Sequence, residues 1–122
     1  ATRFLDSVLP ILPSEDPMHP RLKSNAYDVT ASRFLRPWRE DWPSFSALCV
    51  RRICSEMRRA AVEGRQFHLW WHPHNFGRHT KENLAQLTKI LTVYQHLQFE
   101  HEMKSVTMRE ATLEERRRVD AA

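Results

Sequence analysis

Glycine is scarce in this chain, with two residues among 122. A loop that wraps phosphate groups needs several closely spaced glycines, so nucleotide binding of the P-loop or dinucleotide type is excluded. No run of about 18 apolar residues occurs, so we expect no membrane segment. A charged start followed by an apolar stretch and a small-residue cleavage site is also missing, so we recognise no secretory signal in these residues.

Cysteine is equally rare, with Cys49 and Cys54 as its two instances. They stand five apart on one predicted helix, a spacing that suits neither a zinc knuckle nor a disulfide framework. The pattern therefore predicts buried free thiols, which favour a reducing compartment such as the cytoplasm.

Charge of one sign is only slightly in excess. Nineteen Lys and Arg against fifteen Asp and Glu give a net charge of +4, spread over predicted helix faces and a short run at residues 116–118. This scattered surplus is typical of a solvated surface, so we expect no nucleic-acid partner. The length is that of one domain. Because the sequence opens "ATRFLDSV" without an initiator methionine, we expect a portion of a longer chain.

Three helices are predicted from apolar spacing. Residues 44–63 carry apolar side chains three and four apart, and Gly64 is placed to end that helix. A second helix is predicted to begin with Thr80 as its cap. Thr107 and Glu110 form a capping-box signature for the last helix, "MREATLEERRRV".

Short extended segments are predicted between the helices. They are "TASRFLRP" at residues 30–37, "QFHLWW" at residues 66–71 and "MKSVT" at residues 103–107. Strands that alternate with helices indicate parallel pairing through crossover connections, an α/β architecture. Ahead of them, residues 3–12 are predicted as an amphipathic helix broken by Pro10 and residues 13–28 as an irregular connection. We therefore predict one partial domain over residues 1–122, with residues 1–30 as an irregular lead-in.

The stretch "QFHLWWHPHNFG", residues 66–77, concentrates three histidines and two tryptophans. In α/β folds the ligand site gathers where strands end, which is where His72 and His74 fall. A histidine there can act as a general acid or base near neutral pH. The alternative is that His72 bonds a loop carbonyl while the tryptophans fill the core. The density of polar and aromatic groups around Asn75 favours a functional site.

Two further interpretations of this stretch concern metals and sugars. His68 and His72 are four apart, but on a strand with roughly 3.3 Å rise per residue they lie about 13 Å apart and cannot share an ion. His72 and His74 have no Asp or Cys nearby as a third ligand, so we expect no complete metal site in this chain. Trp70 and Trp71 alternate faces. The pattern leaves open whether either indole is an exposed sugar platform or part of the core.

Four stretches in this order carry a family resemblance. They are "SRFLRP" at residues 32–37, "FHLWWHPHNFG" at residues 67–77, "ENLAQLTKIL" at residues 82–91 and "SVTMRE" at residues 105–110. Together they resemble the C-terminal part of polysaccharide deacetylases, the carbohydrate esterases with a nodulation-type deacetylase domain. The resemblance covers the chain from about residue 30 onward, and "LWWHPHNFG" is its specific piece.

The resemblance implies a distorted (β/α) barrel that removes acetyl groups from N-acetylated sugars. It implies a divalent metal, usually zinc, held by one Asp and two His, a second Asp as base and a late histidine that protonates the departing amine. "LWWH" matches the late motif, which makes His72 the implied general acid and puts Trp70 in the wall around the acetyl methyl. In the whole enzyme we expect His74, Asn75 and Phe76 to shape the sugar pocket together with Trp70. We expect Arg33 and Arg36 to orient anionic or hydroxyl groups, with a surface salt bridge as an equal alternative for either.

The chain departs from this family in its metal and base motifs. The paired aspartates and the His-Ser/Thr-x-x-His motif are both absent from these 122 residues. We therefore expect a C-terminal portion of such a barrel, partnered by a missing N-terminal part of the same chain and inactive alone. The alternative is a non-catalytic carbohydrate-binding or interaction module. A third hypothesis is a self-contained metallohydrolase that uses His72 and His74.

Overall fold

The computed structural model describes residues 21–23 and 26–122, which form a mixed α/β and mostly helical structure. The predicted helix at residues 3–12 lies outside the described residues. The helices are α1 (Pro43–Val62), α2 (Thr80–His101) and α3 (Met108–Asp120), with a 3-10 helix at Pro73–Phe76. The strands are β1 (Arg21–Lys23), β2 (Ala26–Asp28), β3 (Arg33–Phe34) and β4 (Leu69–Trp70).

Helix α1 confirms the helix predicted for residues 44–63. Pro43 stands at its first turn, where the missing backbone N–H is not needed for a helical hydrogen bond. The helix ends at Gly64, whose φ of +63° lies in the left-handed region that favours glycine. The Arg65 N–H then bonds the Ala60 carbonyl at 2.8 Å, which satisfies one of the last helical acceptors.

The core lies between α1 and α2. Apolar side chains of α1 meet the buried stripe of α2, and Leu35 joins them from just past β3. The buried members of this core are Leu35, Val50, Ile53, Cys54, Met57, Ile90 and Leu97. None of the helices formed by the described residues combines the length and the apolar character needed to cross a bilayer.

The predicted parallel pairing is confirmed for one pair of strands. Strand β3 runs parallel to β4, with Arg33 opposite Leu69 and Phe34 opposite Trp70. The strand at residues 66–71 is shorter than predicted, because only its middle pairs with β3. Leu35 and Leu69 lie on the core side of this pair, whereas Phe34 and Trp70 lie on the other face.

The strand predicted at residues 103–107 is wrong. Helix α2 ends with Glu102 in the left-handed conformation, and the Met103 N–H bonds the Leu97 carbonyl at 3.3 Å. This arrangement is a helix-terminating motif in which Met103 packs back on the core. The chain then runs to Thr107, which caps α3, and pairs with no strand formed by the described residues. The capping box of Thr107 and Glu110 is confirmed in both directions.

The lead-in also differs from the prediction where it is described. Strands β1 and β2 pair antiparallel, with Arg21 opposite Asp28 and Lys23 opposite Ala26, within the stretch predicted as irregular. A tight antiparallel pair needs only short extended arms, and the polar composition of these arms hid them from periodicity.

Thr80 begins α2 but does not cap it. The cap position belongs to His79 in the left-handed conformation, without a side-chain cap. The Thr80 hydroxyl donates instead to the carbonyl of Phe76 in the preceding 3-10 helix, so it does not cap α2. The Asn83 side chain donates to the carbonyls of Arg78 and His79, so the start of α2 is fixed by an internal amide.

Candidate functional site

Four rings gather beside the carboxyl ends of β3 and β4. Phe34 and Trp70 are register neighbours with ring centroids 4.5 Å apart. The His72 ring stands edge-on to both, 5.0 Å from Trp70 and 5.7 Å from Phe34. His74 stacks on His72 at 5.0 Å with planes 15° apart. We call Phe34, Trp70, His72 and His74 the aromatic cluster.

Local chain chemistry explains how the two imidazoles meet. His72 is extended, with φ −89° and ψ 134°, as expected of a residue before proline. Pro73 then starts a 3-10 helix in which the Asn75 N–H bonds the His72 carbonyl at 2.9 Å. This turn reverses the chain and brings the His74 ring back over His72.

The imidazoles of the aromatic cluster differ from the other histidine of the stretch. His72 and His74 are exposed, and no residue of the described part of the chain hydrogen-bonds their ring nitrogens. The half-buried His68 has its Nδ1 3.1 Å from the Val29 carbonyl, and its backbone N–H donates to the Ser32 hydroxyl at 2.9 Å. His68 is therefore a structural residue, whereas His72 and His74 present free nitrogens to a ligand.

The two arginines predicted for the pocket lie elsewhere. Arg33 precedes Phe34 on β3, so its side chain leaves the opposite face of the strand. It forms a bidentate ion pair with Glu56 of α1, with Nη2 2.7 Å from the carboxylate. Arg36 is close enough to Cys49 for its charge to lower the pKa of that thiol, against the larger effect of burial, which raises it. Both guanidinium groups thus belong to the side of β3 that meets α1.

The rest of the "HPHNFG" turn divides between core and surface. Phe76 packs against the core and contacts Trp71 edge-on at 6.2 Å. Asn75 Nδ2 is buried and has no hydrogen-bond partner among residues 21–23 and 26–122. Trp70 and Trp71 are 37% and 38% exposed, so both indoles offer surface on either side of β4. The predicted residues Trp70, His72 and His74 come together, and Phe76 lies apart from them.

Two residues were missed from the sequence: Phe34, which belongs to the aromatic cluster, and Asn83, which fixes the start of α2. Phe34 was missed because it becomes a neighbour of Trp70 only through the register of β3 against β4. Neither segment's own sequence predicts that register. Asn83 is 3% exposed, accepts from the Trp38 N–H at 2.7 Å and donates to Arg78 and His79 at 2.9 and 3.0 Å. A signal for it existed, since this polar residue falls one heptad before Ile90 in the buried stripe of α2.

A metal centre does not fit the residues described. Within residues 21–23 and 26–122, no three His, Cys, Asp or Glu side chains lie close enough to hold one ion. The stacking of His72 on His74 also keeps their nitrogen lone pairs in two nearly parallel planes. A zinc site needs three or more converging protein ligands, and the aromatic cluster offers two imidazoles.

The fold and the aromatic cluster define a mixed α/β protein with exposed imidazoles beside a short parallel strand pair. No protein family model, no curated protein and no solved structure matches this chain. The resemblance to polysaccharide deacetylases therefore rests on the four stretches of sequence quoted above.

Proposed function

We propose that this chain is the C-terminal part of a polysaccharide deacetylase, a (β/α) barrel that removes acetyl groups from N-acetylated sugars. The observation that supports the proposal best is the position of His72. Its ring is exposed two residues past the end of β4 and edge-on to Phe34 and Trp70. The loops after parallel strands are where α/β enzymes bind ligands.

The chemistry proposed for His72 is proton donation. Amide hydrolysis adds water to the acetyl carbonyl and then breaks the C–N bond. An amide anion is a very poor leaving group, so the nitrogen must gain a proton as that bond breaks. The imidazolium of His72 gives its N–H proton to the nitrogen, which leaves as a neutral amine, and the ring becomes neutral imidazole. Its unbonded ring nitrogens are compatible with this role.

The remaining machinery is assigned to the N-terminal part of the same enzyme. A bound divalent metal would activate water and polarise the acetyl carbonyl. The described residues include no group of three His, Cys, Asp or Glu side chains that could bind it, and no paired aspartates occur in the sequence. We therefore propose that the 122-residue chain alone does not deacetylate. Its own contributions are the proton donor and the apolar surface of Trp70 and Phe34 beside it.

The test uses the longer polypeptide encoded when the gene is extended upstream. We expect the added sequence to contain an Asp-Asp pair and a His-Ser/Thr-x-x-His motif, and the product to release acetate from N-acetylglucosamine oligomers. His72→Gln should lower kcat by roughly 100- to 10,000-fold, the usual worth of a general acid. His96→Gln, an exposed histidine on α2, is the matched control. Missing upstream motifs, or full activity in His72→Gln, would overturn the proposal.

Exposed indoles favour one alternative, a non-catalytic carbohydrate-binding module. Trp70 and Trp71 present apolar faces that suit the faces of sugar rings. This function predicts that the 122-residue chain binds N-acetylglucosamine oligomers in the presence of EDTA. Calorimetry should then show weaker binding by Trp70→Ala and unchanged binding by His72→Ala. Trp42→Ala, at the start of α1, is the control for loss of an exposed tryptophan.

A further inference from the structure

We infer that His74 is a positioning residue for His72: its ring stacks on the His72 ring and fixes the plane in which the proton donor lies. The catalytic consequence of this inference rests on the proposed function. The stacking itself is a property of the 122-residue chain, and it can be measured without any enzyme activity.

The turn after β4 holds His74 in place through the backbone. Pro73 fixes one backbone torsion at the start of the 3-10 helix. The carbonyl of His72 accepts a hydrogen bond from the Asn75 N–H at 2.9 Å, and the His74 carbonyl accepts one from the N–H of residue 77 at 3.0 Å. A Cβ atom at Gly77 would lie 3.3 Å from the His74 carbonyl, a tight contact that glycine avoids. The His74 ring therefore projects from a backbone that is hydrogen-bonded on both sides.

The His72 ring has three ring neighbours, and His74 differs from the other two. Trp70 and Phe34 stand at 85° and 64° to the plane of His72. His74 lies nearly parallel to it, at 15°, with ring centroids 5.0 Å apart. An edge-to-face contact determines where a ring lies, but it leaves the ring free to tilt about the line of contact. A parallel neighbour opposes tilting, because one side of the ring would collide and the other side would lose its contact.

The plane of the His72 ring matters because an imidazole N–H lies in that plane. A general acid must bring its N–H within reach of the nitrogen that receives the proton, roughly 2.6–3.2 Å between heavy atoms. Tilting the ring moves the N–H out of line, whereas half a turn about the Cβ–Cγ bond exchanges the two edges and keeps the plane. The stack with His74 therefore fixes the plane of the donor, and the choice of ring nitrogen is left to an acceptor on His72.

His74 takes no part in the proton transfer itself. The hydrogen bonds of an imidazole run in the plane of the ring, and these two rings are stacked, so their nitrogens do not bond each other. What His74 supplies to His72 is a flat ring. A phenyl ring at position 74 should therefore replace it, and a methyl group should not.

The first test compares His74→Ala with His74→Phe in the 122-residue chain. Nuclear Overhauser effects between the ring protons of His72 and Trp70 report how fully the imidazole stays against its neighbour. We expect them to weaken at least about twofold in His74→Ala, because the loss of one aromatic contact lowers the population of the packed orientation. His74→Phe should keep the wild-type pattern. His96→Ala, which removes an exposed histidine of α2, is the control and should also keep it.

The second test measures the same variants in the longer polypeptide, with N-acetylglucosamine oligomers as substrate. His74→Ala should lower kcat by roughly 2- to 10-fold, the worth of one aromatic pair, and leave KM within about twofold. His74→Phe should restore kcat. A residue that binds the substrate directly would instead raise KM, and a phenyl ring would not replace its hydrogen bonds.

A double-mutant cycle separates action through His72 from action on the substrate. A positioning residue has no effect once the group that it positions is gone. In the His72→Gln background, His74→Ala should therefore leave kcat within about twofold of the value for His72→Gln alone.

Three results would overturn the inference. Unchanged Overhauser effects between His72 and Trp70 in His74→Ala would show that the stack does not hold the ring. Failure of His74→Phe to restore kcat, or an equal loss of kcat in both backgrounds, would show that His74 acts on the substrate. A wild-type longer polypeptide that releases no acetate would overturn the proposed function instead, and the comparison in the 122-residue chain would still decide whether His74 fixes the ring.

Discussion

Replacing Asn83 with alanine should destabilise the fold by about 2–4 kcal/mol. The lost side chain leaves the part-buried Trp38 N–H without its acceptor, which costs about 1–3 kcal/mol, and removes two bonds worth about 0.5–1.5 kcal/mol each. The upper end of that sum is not reached, because the His79 carbonyl still accepts from the backbone N–H of residue 83 at 3.0 Å. The three side-chain hydrogen bonds join the segment before α1 and the turn before α2 to one buried amide.

Urea denaturation followed by circular dichroism measures this cost. A lower midpoint with an unchanged m-value would show a loss of stability without a change in the unfolded state. Asn83→Asp refines the test, because it keeps an oxygen for the Trp38 N–H and loses the donor. The second oxygen would then face the carbonyls of Arg78 and His79, so we expect this variant to be destabilised as well.

Asn75 is the matched control for Asn83. The two asparagines lie at opposite ends of the segment that leads from the 3-10 helix into α2, but Asn75 Nδ2 is buried and no described residue hydrogen-bonds it. Removing an unpartnered polar atom leaves no donor or acceptor stranded, so Asn75→Ala should change stability by less than about 0.5 kcal/mol. If Asn75→Ala lowered the free energy of unfolding as much as Asn83→Ala, the attribution of the Asn83 effect to its hydrogen bonds would be refuted.

Two further predictions concern ionisable groups. Hydrogen bonds from Thr107 lower the pKa of Glu110, so its ionised form stabilises the start of α3 at pH values above the ordinary carboxyl range. This stabilisation should be lost as pH falls through the lowered pKa of Glu110. An NMR titration that monitors the Thr107 amide resonance measures the loss, and Glu110→Gln should show no such transition. Burial raises the pKa of both Cys49 and Cys54, so these thiols should react with a disulfide reagent at mildly alkaline pH far more slowly in native than in unfolded protein. Equal rates would contradict the buried placement.

Features encoded locally could be predicted from the sequence. Helix α1 was predicted within one residue at each end, because its apolar spacing, Pro43 and Gly64 all act within a few positions. The capping box of Thr107 and Glu110 was also predicted, since both partners lie within one turn. The parallel pairing of β3 with β4 followed from strand and helix alternation, although the register did not.

Features that depend on tertiary contacts escaped prediction. The apolar content of residues 103–107 suits a strand, but no strand of the described residues lies beside it to pair with it, and Met103 is drawn into the helix-ending motif of α2. Thr80 has the right side chain for a helix cap, but its hydroxyl donates a hydrogen bond to the Phe76 carbonyl instead. Strand propensity and cap preference are weak biases of this kind, and a specific partner overrides them.

The orientation of the His72 ring separates the catalytic proposal from the binding alternative. Its contacts with Trp70, Phe34 and His74 are ring contacts, and no described residue hydrogen-bonds its nitrogens. A sugar platform needs only ring faces, so the binding alternative requires no fixed orientation of the imidazole. A proton donor must aim one N–H at the leaving nitrogen, and an acceptor on its other nitrogen is the usual means of fixing that orientation. The catalytic proposal therefore requires an orienting acceptor from the N-terminal part of the enzyme. A single fixed tautomer of His72 in the longer polypeptide, against exchanging tautomers in the 122-residue chain, is the signature that distinguishes the two.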